Sequence, residues 1–289
     1  DLSDSGLDAT QADAARQPIY RSTVAALGYM PAVDFNGSTD QLQTAAFSSA
    51  NARTVFVVTA PKVAPSPLGY EWVVGQLVDG GPYKTDDAWG IGQSPRPGTN
   101  FRALWRGGGN NSMEHPATFS AHTPYILNYV SDSTTTFYVN DDPVSRVAGP
   151  HNTRTLPLTI GGYSPSPNYP FNGHIAEVIV YDTALDAVDR TAVQTYLTQK
   201  YMTASVYYDL SSDAGLQGGS ATWNGTNGLW SSGTNGIDPV AWNDGANAVF
   251  HSTVTGGAFT VTVGEDVSPG FVHVNRGGIT FTSGGGQIS

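Results

Sequence analysis

The sequence predicts an all-β protein: a sandwich of short strands carrying one amphipathic helix, then a smaller β-rich segment. Three observations lead there. The chain holds 34 Gly and 18 Pro among 289 residues and only 13% charged residues, a balance suited to many short strands joined by tight turns. Its apolar residues fall in short runs bounded by Gly, Pro, Asn and Asp. One stretch alone has a sustained helical period: Leu185, Val188, Ala192, Tyr196 and Tyr201 on one face, with Asp189, Arg190, Thr191, Gln194 and Gln199 on the other. A hydrophobic content of 39%, with 11% aromatics, is enough for a packed core.

In chain order, residues 1–20 are polar, with a loose acidic group of Asp1, Asp4, Ser5 and Asp8. Val33 and Phe35 alternate inward, and Asn36-Gly37 turns the chain because both residues tolerate positive φ. Thr54 to Ala60 (TVFVVTA) is a continuous apolar run ended by Pro61, hence a core strand. Pro61, Pro65 and Pro67 mark a loop. Strands follow over Glu71 to Val78, Ala88 to Ile91 and Asn100 to Trp105, separated by Asp79-Gly80-Gly81-Pro82 and ended by Gly107-Gly108-Gly109. His122 to Val130, Thr134 to Asn140 and Leu156 to Gly161 complete the meander, with a hairpin turn at Asn140-Asp141-Asp142. The last strand lies between Asn172-Gly173 and Asp182-Thr183, carrying Ile175, Val178, Val180 and Tyr181. Asp186 then caps the helix, with Asp189 at the capping-box position.

The segment from Phe171 to Tyr201 resembles the closing segment of concanavalin A-like jelly rolls of the laminin-G type from large bacterial surface and secreted proteins. The residues that carry the resemblance are Phe171, Gly173, Ile175, Glu177, Val178, Tyr181, Ala184, Leu185, Tyr196, Leu197, Lys200 and Tyr201. Arg16, Pro18 and Tyr20, the run Met30 to Leu42, and Leu158 to Tyr163 are similar to further markers of that family. The resemblance implies a concanavalin A-like β-sandwich over residues 1–203 and a secreted or bacterial cell-surface location. It leaves function open, because such domains bind sugars, bind proteins, cleave glycans or only pack.

Beyond Tyr201 the composition changes. Residues 204–222 read as a Ser/Gly-rich connector, and residues 223–289 as a separate segment rich in Asn-Gly turns. Trp223, Gly225, Gly228, Trp230, Trp242, Gly245, Ala248 and Phe250 resemble an autotransporter-associated β-strand repeat, which implies the start of a parallel β-helix. The chain reads as a piece of a longer precursor that supplies the rest.

Several chemistries are poorly served. There are no cysteines, so no disulfide framework or thiolate site. A net charge of −11 argues against a nucleic-acid partner. No run approaches the roughly 18 apolar residues of a membrane span. His115, His122, His151, His174, His251 and His273 include no i, i+4 pair of the zinc-protease kind. A glycoside hydrolase needs two carboxylates about 5–9.5 Å apart. Glu71, Glu114, Glu177 and Glu265 are the only glutamates, and none has an acid two residues away on its strand. Glu71 and Glu114 remain able to meet across strands. The chain is therefore expected not to be an enzyme.

A binding surface remains. Aromatic faces stack on the apolar faces of sugar rings while Asn and Asp take hydroxyls. Trp72, Tyr83, Trp89, Trp105, Asn110, Tyr163 and Tyr169 are the candidate ligand-binding residues, at strand ends and in loops; core packing is the competing reading for each aromatic. Hard cations want clustered carboxylates, so Ca²⁺ is the cofactor considered. Asp1, Asp4, Asp34, Asp40 and Asp79 are the candidate ligands, joined by Asp86 and Asp87, against solvated loops as the alternative. The leading expectation is a non-catalytic module that binds a glycan or cell-surface polymer. The alternatives are a structural adhesin or envelope spacer, and a glycoside hydrolase with an unrecognised acid pair.

Overall fold

The computed structural model describes the chain apart from residues 1, 2, 4, 49–51, 64–69, 78–88, 95–99, 107–109, 148–154 and 163–168. The chain forms two compact units, Asp1–Gln194 and Thr195–Ser289.

Among the described residues the first unit contains thirteen strands: β1 (Ile19–Val24), β2 (Met30–Asn36), β3 (Leu42–Ser48), β4 (Arg53–Pro61), β5 (Glu71–Gln76), β6 (Trp89–Ser94), β7 (Asn100–Arg106), β8 (Asn110–Thr118), β9 (Tyr125–Ser131), β10 (Thr134–Val139), β11 (Asp142–Val147), β12 (Thr155–Ile160) and β13 (Asn172–Tyr181). They make a seven-stranded sheet, β1-β2-β13-β4-β9-β10-β11, and a six-stranded sheet, β3-β12-β5-β6-β7-β8. All pairings are antiparallel. The inward residues of both sheets meet in one core that includes Phe35, Val57, Trp89, Phe101, Leu127 and Phe171.

Each strand follows from its local pattern. β4 carries the apolar run Val55–Val58 and every one of its residues is buried, as it lies in the middle of its sheet. β10 shows the alternation of a half-buried strand. The turn between β10 and β11 holds Asn140 at φ 51° and Asp141 at φ 71°, the two positive values that a tight hairpin requires. β13 is inserted between β2 and β4, pairing Ile175 with Val33 on one side and Val178 with Val57 on the other. A bulge between Ile175 and Glu177 interrupts the second ladder. Where β12 ends, Gly161 has φ +86°, and a Cβ there would run into the Phe35 ring. No other residue type closes that corner without displacing the core.

The helix α1 (Ala187–Met202) begins where expected. Asp186 Oδ1 accepts from the N–H groups of Val188 and Asp189, each at 2.9 Å. Its buried stripe differs from the expected one. Gln194, Leu197 and Tyr201 are buried, whereas Val188 is 77% exposed. Arg190 supports the first turn of the helix by donating to Asp141 Oδ1 at 2.7 Å while lying 4.3 Å from the Tyr138 ring centre.

The strands of the second unit are β14 (Ser205–Tyr208), β15 (Ala221–Trp223), β16 (Trp230–Ser231), β17 (Pro239–Val240), β18 (Asn247–Phe250), β19 (Phe259–Val263), β20 (Phe271–Val274) and β21 (Ile279–Ser283). The unit combines parallel ladders with two short antiparallel ones, β14 with β16 and β16 with β17. β14, β18 and β20 stack in parallel, as do β15, β19 and β21. Parallel bridges at Gln217–Thr255 and Val267–Ile288 continue the stacking between them. Residues 205–208, read from sequence as part of a connector, open the first of these rungs. Asn247, fully buried, donates from Nδ2 to the carbonyls of Gln199 (2.8 Å), Lys200 (3.3 Å) and Thr203 (3.4 Å), which satisfies acceptors left over at the helix end.

Candidate functional site

The candidate ligand-binding residues separate into three groups. Tyr83 and Tyr163 lie outside the described residues, as does the side chain of Asn110. Trp89 and Trp105 are core residues, 1% and 0% exposed. They face each other across β6 and β7, and Trp89 stacks on Tyr129 with ring centres 6.2 Å apart while its Nε1 donates to Gln76 Oε1 at 2.8 Å. Strand alternation explains the difference from expectation: Trp89, Ile91, Phe101, Ala103 and Trp105 all take the inward positions. Trp72 and Tyr169 come together elsewhere, on the opposite face of the same sheet.

That outer face carries a second cluster. Trp72, Gly92, Arg102 and Glu114 are successive cross-strand partners over β5 to β8, so their side chains share one side of the sheet. Trp72, Leu77 and Leu104 pack together there, with Tyr70 and Tyr169 half-buried against them. Gly92 is what lets the row close. A Cβ at that position would lie 2.8 Å from Trp72 Cε3, so a side chain would lift the indole off the sheet. Across the gap, the Arg102 guanidinium lies 4.4 Å from the Tyr70 ring centre and 5.8 Å from that of Trp72. The Tyr70 and Tyr169 rings meet at 6.4 Å and 59°. Tyr169 adopts φ 55°, unusual for an aromatic residue, and its carbonyl accepts the Trp72 N–H at 3.0 Å. Backbone held in this region costs about 1–3 kcal/mol and clusters at binding sites.

Arg102 was not among the residues singled out from sequence. The signal was present in the alternation of Phe101-Arg102-Ala103-Leu104-Trp105, which sends Arg102 to the face opposite the core. The two glutamates do not form a hydrolytic pair on this sheet. Glu114 is on the outer face and accepts from Ser94 Oγ at 2.7 Å. Glu71 pairs in register with Gln93 and turns toward the other sheet, where Oε2 accepts the Asn172 N–H at 3.3 Å. Three strand spacings separate β5 from β8, about 14 Å at the usual interval.

Of the proposed metal ligands, Asp1, Asp4 and Asp79 lie outside the described residues, as do Asp86 and Asp87. Asp34 does not suit a cation. Its carboxylate is held by Lys62 at 2.5 Å and Arg21 at 3.2 Å, with His174 Nδ1 at 3.8 Å. Asp40 is engaged too, accepting from the Asn36 backbone N–H at 3.0 Å and from Asn36 Nδ2 at 2.7 Å, which locks the Asn36–Asp40 turn. Among the described residues no group of three or more His, Asp or Glu is arranged to hold a metal.

The Asp34 cluster makes folding pH-dependent. Burial works to raise the Asp34 carboxyl, but the hydrogen bond and charge of Lys62, with His174 and Arg21, outweigh it and hold the group below its ordinary value. Burial lowers His174, with Lys62, His122 and Arg21 adding to the effect against the pull of Asp34. Both groups are depressed in the folded state, so each contributes stability above its unfolded value that is lost as pH falls through its folded one. His174 is the one acting nearest neutrality, from about 6.5 downward. His174→Gln is therefore expected to flatten the loss of stability just below that pH, as measured by urea denaturation at a series of pH values. An unchanged profile would remove His174 from the account.

The model of the concanavalin A-like lectin/glucanases superfamily matches residues 36–189, more than half of the chain. No curated protein matches. Among solved structures, domain 4 of an extracellular GH43 arabinanase from Geobacillus stearothermophilus, solved with arabinotriose, is similar at 16% identity and TM-score 0.45, over 62% of this chain and 81% of that one. A heptameric SAP-like pentraxin from Limulus polyphemus is similar at 15% identity and TM-score 0.45, over 58% and 82%. The CBM40 of a Ruminococcus gnavus IT-sialidase, bound to α2,3-sialyllactose, is similar at 12% identity and TM-score 0.44, over 56% and 96%. The family match spans β3 to β13 and the start of the helix, which includes the whole six-stranded sheet with its outer-face cluster and the seven-stranded sheet apart from β1 and β2. This chain belongs to the concanavalin A-like lectin/glucanases superfamily.

Proposed function

We propose that the first unit is a non-catalytic carbohydrate-binding module of a secreted or cell-surface protein, with its site on the outer face of the six-stranded sheet. The observation that carries this reading is the pair Tyr70 and Tyr169, half-buried over Trp72 with the Arg102 guanidinium beneath. Two tyrosines set at an angle offer an apolar surface to a pyranose ring, with hydroxyls at the edge for its polar groups. The strained backbone of Tyr169 is consistent with a residue held for contact rather than for packing alone.

A glycan array spanning neutral and acidic polysaccharide fragments tests this reading. Binding is expected, and Tyr169→Ala is expected to weaken it by about tenfold or more, as loss of a stacking residue does. Silence across the array would favour the structural adhesin or spacer. Including EDTA tests a Ca²⁺ requirement, which Asp34 and Asp40 as placed would not serve. Release of reducing sugar that disappears in Glu71→Gln or Glu114→Gln would replace a binding function with hydrolysis.

A further inference from the structure

We infer that the ligand of the outer-face site carries a carboxylate, received by Arg102. This rests on the carbohydrate-binding reading and specifies the class of glycan as acidic. Arg102 is 6% exposed, yet its charge is unanswered. Its Nε is sealed from solvent without a hydrogen-bond partner. Among the described residues it makes no ion pair. The natural partner is close: Glu114 stands directly across the strand pair. That carboxylate is committed to Ser94 instead. What holds the guanidinium is aromatic, Tyr70 at 4.4 Å and Trp72 at 5.8 Å. Stacking fixes the plane of the fork and leaves its in-plane N–H groups to bind something else.

A buried cation costs free energy unless an anion or several acceptors answer it. Elsewhere in the unit, Arg21 pairs with Asp34 and Arg190 with Asp141, while Arg53 is buried without an acidic partner but lies against core rings, away from the outer-face tyrosines. Arg102 is thus unpaired where pairing was available, and it lies against Tyr70 and Trp72 of the proposed site. A planar carboxylate is the group whose two oxygens match the two parallel N–H bonds of a guanidinium edge. On a glycan that group is a uronic acid or another sugar acid. The overall charge of −11 opposes such a ligand at long range, but screening confines that repulsion to about 8 Å at physiological ionic strength, so the local guanidinium decides.

The test compares ligands that differ only in the carboxylate: oligogalacturonates with their methyl esters, and hyaluronan fragments with their carboxyl-reduced forms, by titration calorimetry on the full chain. The acid of a binding pair is expected to bind about tenfold or more tighter than its neutral counterpart, the scale of a hydrogen bond to a charged group. Arg102→Gln is expected to erase that preference, read as the ratio of acid to neutral affinity within the variant. Arg102→Lys, which keeps charge without the fork, is expected to restore only part of it, and thermal melts of both variants check folding. Equal binding of acid and neutral forms, or a preference that survives Arg102→Gln in a folded protein, overturns the inference and leaves carbohydrate binding standing. Binding of no glycan at all overturns both.

Discussion

Arg53→Met is expected to stabilise the protein by about 1–4 kcal/mol, the range seen when buried charges are exchanged for apolar side chains. Arg53 opens β4 and is 2% exposed. Its Nε and both terminal nitrogens are buried without hydrogen-bond partners. Among the described residues its compensation is the Trp89 ring, 5.8 Å from the guanidinium carbon. A cation–π contact returns about 0.5–2 kcal/mol, less than the several kcal/mol that burying an unpaired charge costs. The nearby Tyr129 phenol cannot supply a negative charge at neutral pH, because burial pushes it above its ordinary value. Burial likewise pushes the Arg53 guanidinium down to about 10. Its folded value therefore lies below the unfolded one, so the group's penalty is full at neutral pH and eases as pH rises above about 10. Met keeps the length of the side chain and its packing against Trp89 while removing the charge. Urea denaturation at pH 7 measures the difference. A lower midpoint in Arg53→Met would mean that the guanidinium is satisfied in solution, and the penalty argued here would be wrong.

Trp230→Ala is expected to cost about 3–5 kcal/mol in the second unit, as large-to-small changes of buried aromatics do. Trp230 is 1% exposed. Its ring centre lies 5.0 Å from that of Trp223, 5.2 Å from Trp242, 5.6 Å from Phe250 and 5.6 Å from Tyr208. These rings fill the space enclosed by the first rungs, so truncation opens a cavity at the centre of the unit rather than at its margin. The rungs are only four or five residues long, and the aromatic cluster packs beside their buried Val249, Val261 and Val263. Chemical denaturation followed by far-ultraviolet circular dichroism would show the loss. A change below about 1 kcal/mol would indicate that the neighbouring rings collapse into the space.

The two substitutions also mark how far the sequence could be read. Trp223, Trp230 and Trp242 drew attention through their spacing with glycine, and all three proved to be packed together. Arg53 drew none, because a charge at the start of an apolar run reads as an exposed strand end. It is buried because β4 lies inside its sheet, where Arg53 pairs with Ser131 of β9 and the next residue, Thr54, with Tyr181 of β13. The outer-face cluster was half legible. Trp72 and Tyr169 were singled out as aromatics at strand ends, but Arg102 and the close approach of Trp72 over Gly92 depend on which residues are opposed across β5, β6 and β7. Those strands are joined by register, which a linear pattern does not contain.

Local signals determined what was local. The apolar run of β4, the Asn140-Asp141 hairpin, the Asp186 cap and the inward alternation of Val33 and Phe35 each arise from neighbouring residues and short-range sterics, and each stands in the structure. Tertiary structure alone decided which face of each element is covered. It turned α1 so that Gln194, Leu197 and Tyr201 are buried and Val188 is not. It put Trp89 and Trp105 in the core and Trp72 on the other face. It tied Asp34 to Lys62 and Arg21. The physical reason is common to all three: periodicity says which residues share a face, whereas burial and charge pairing depend on partners brought in from distant parts of the chain.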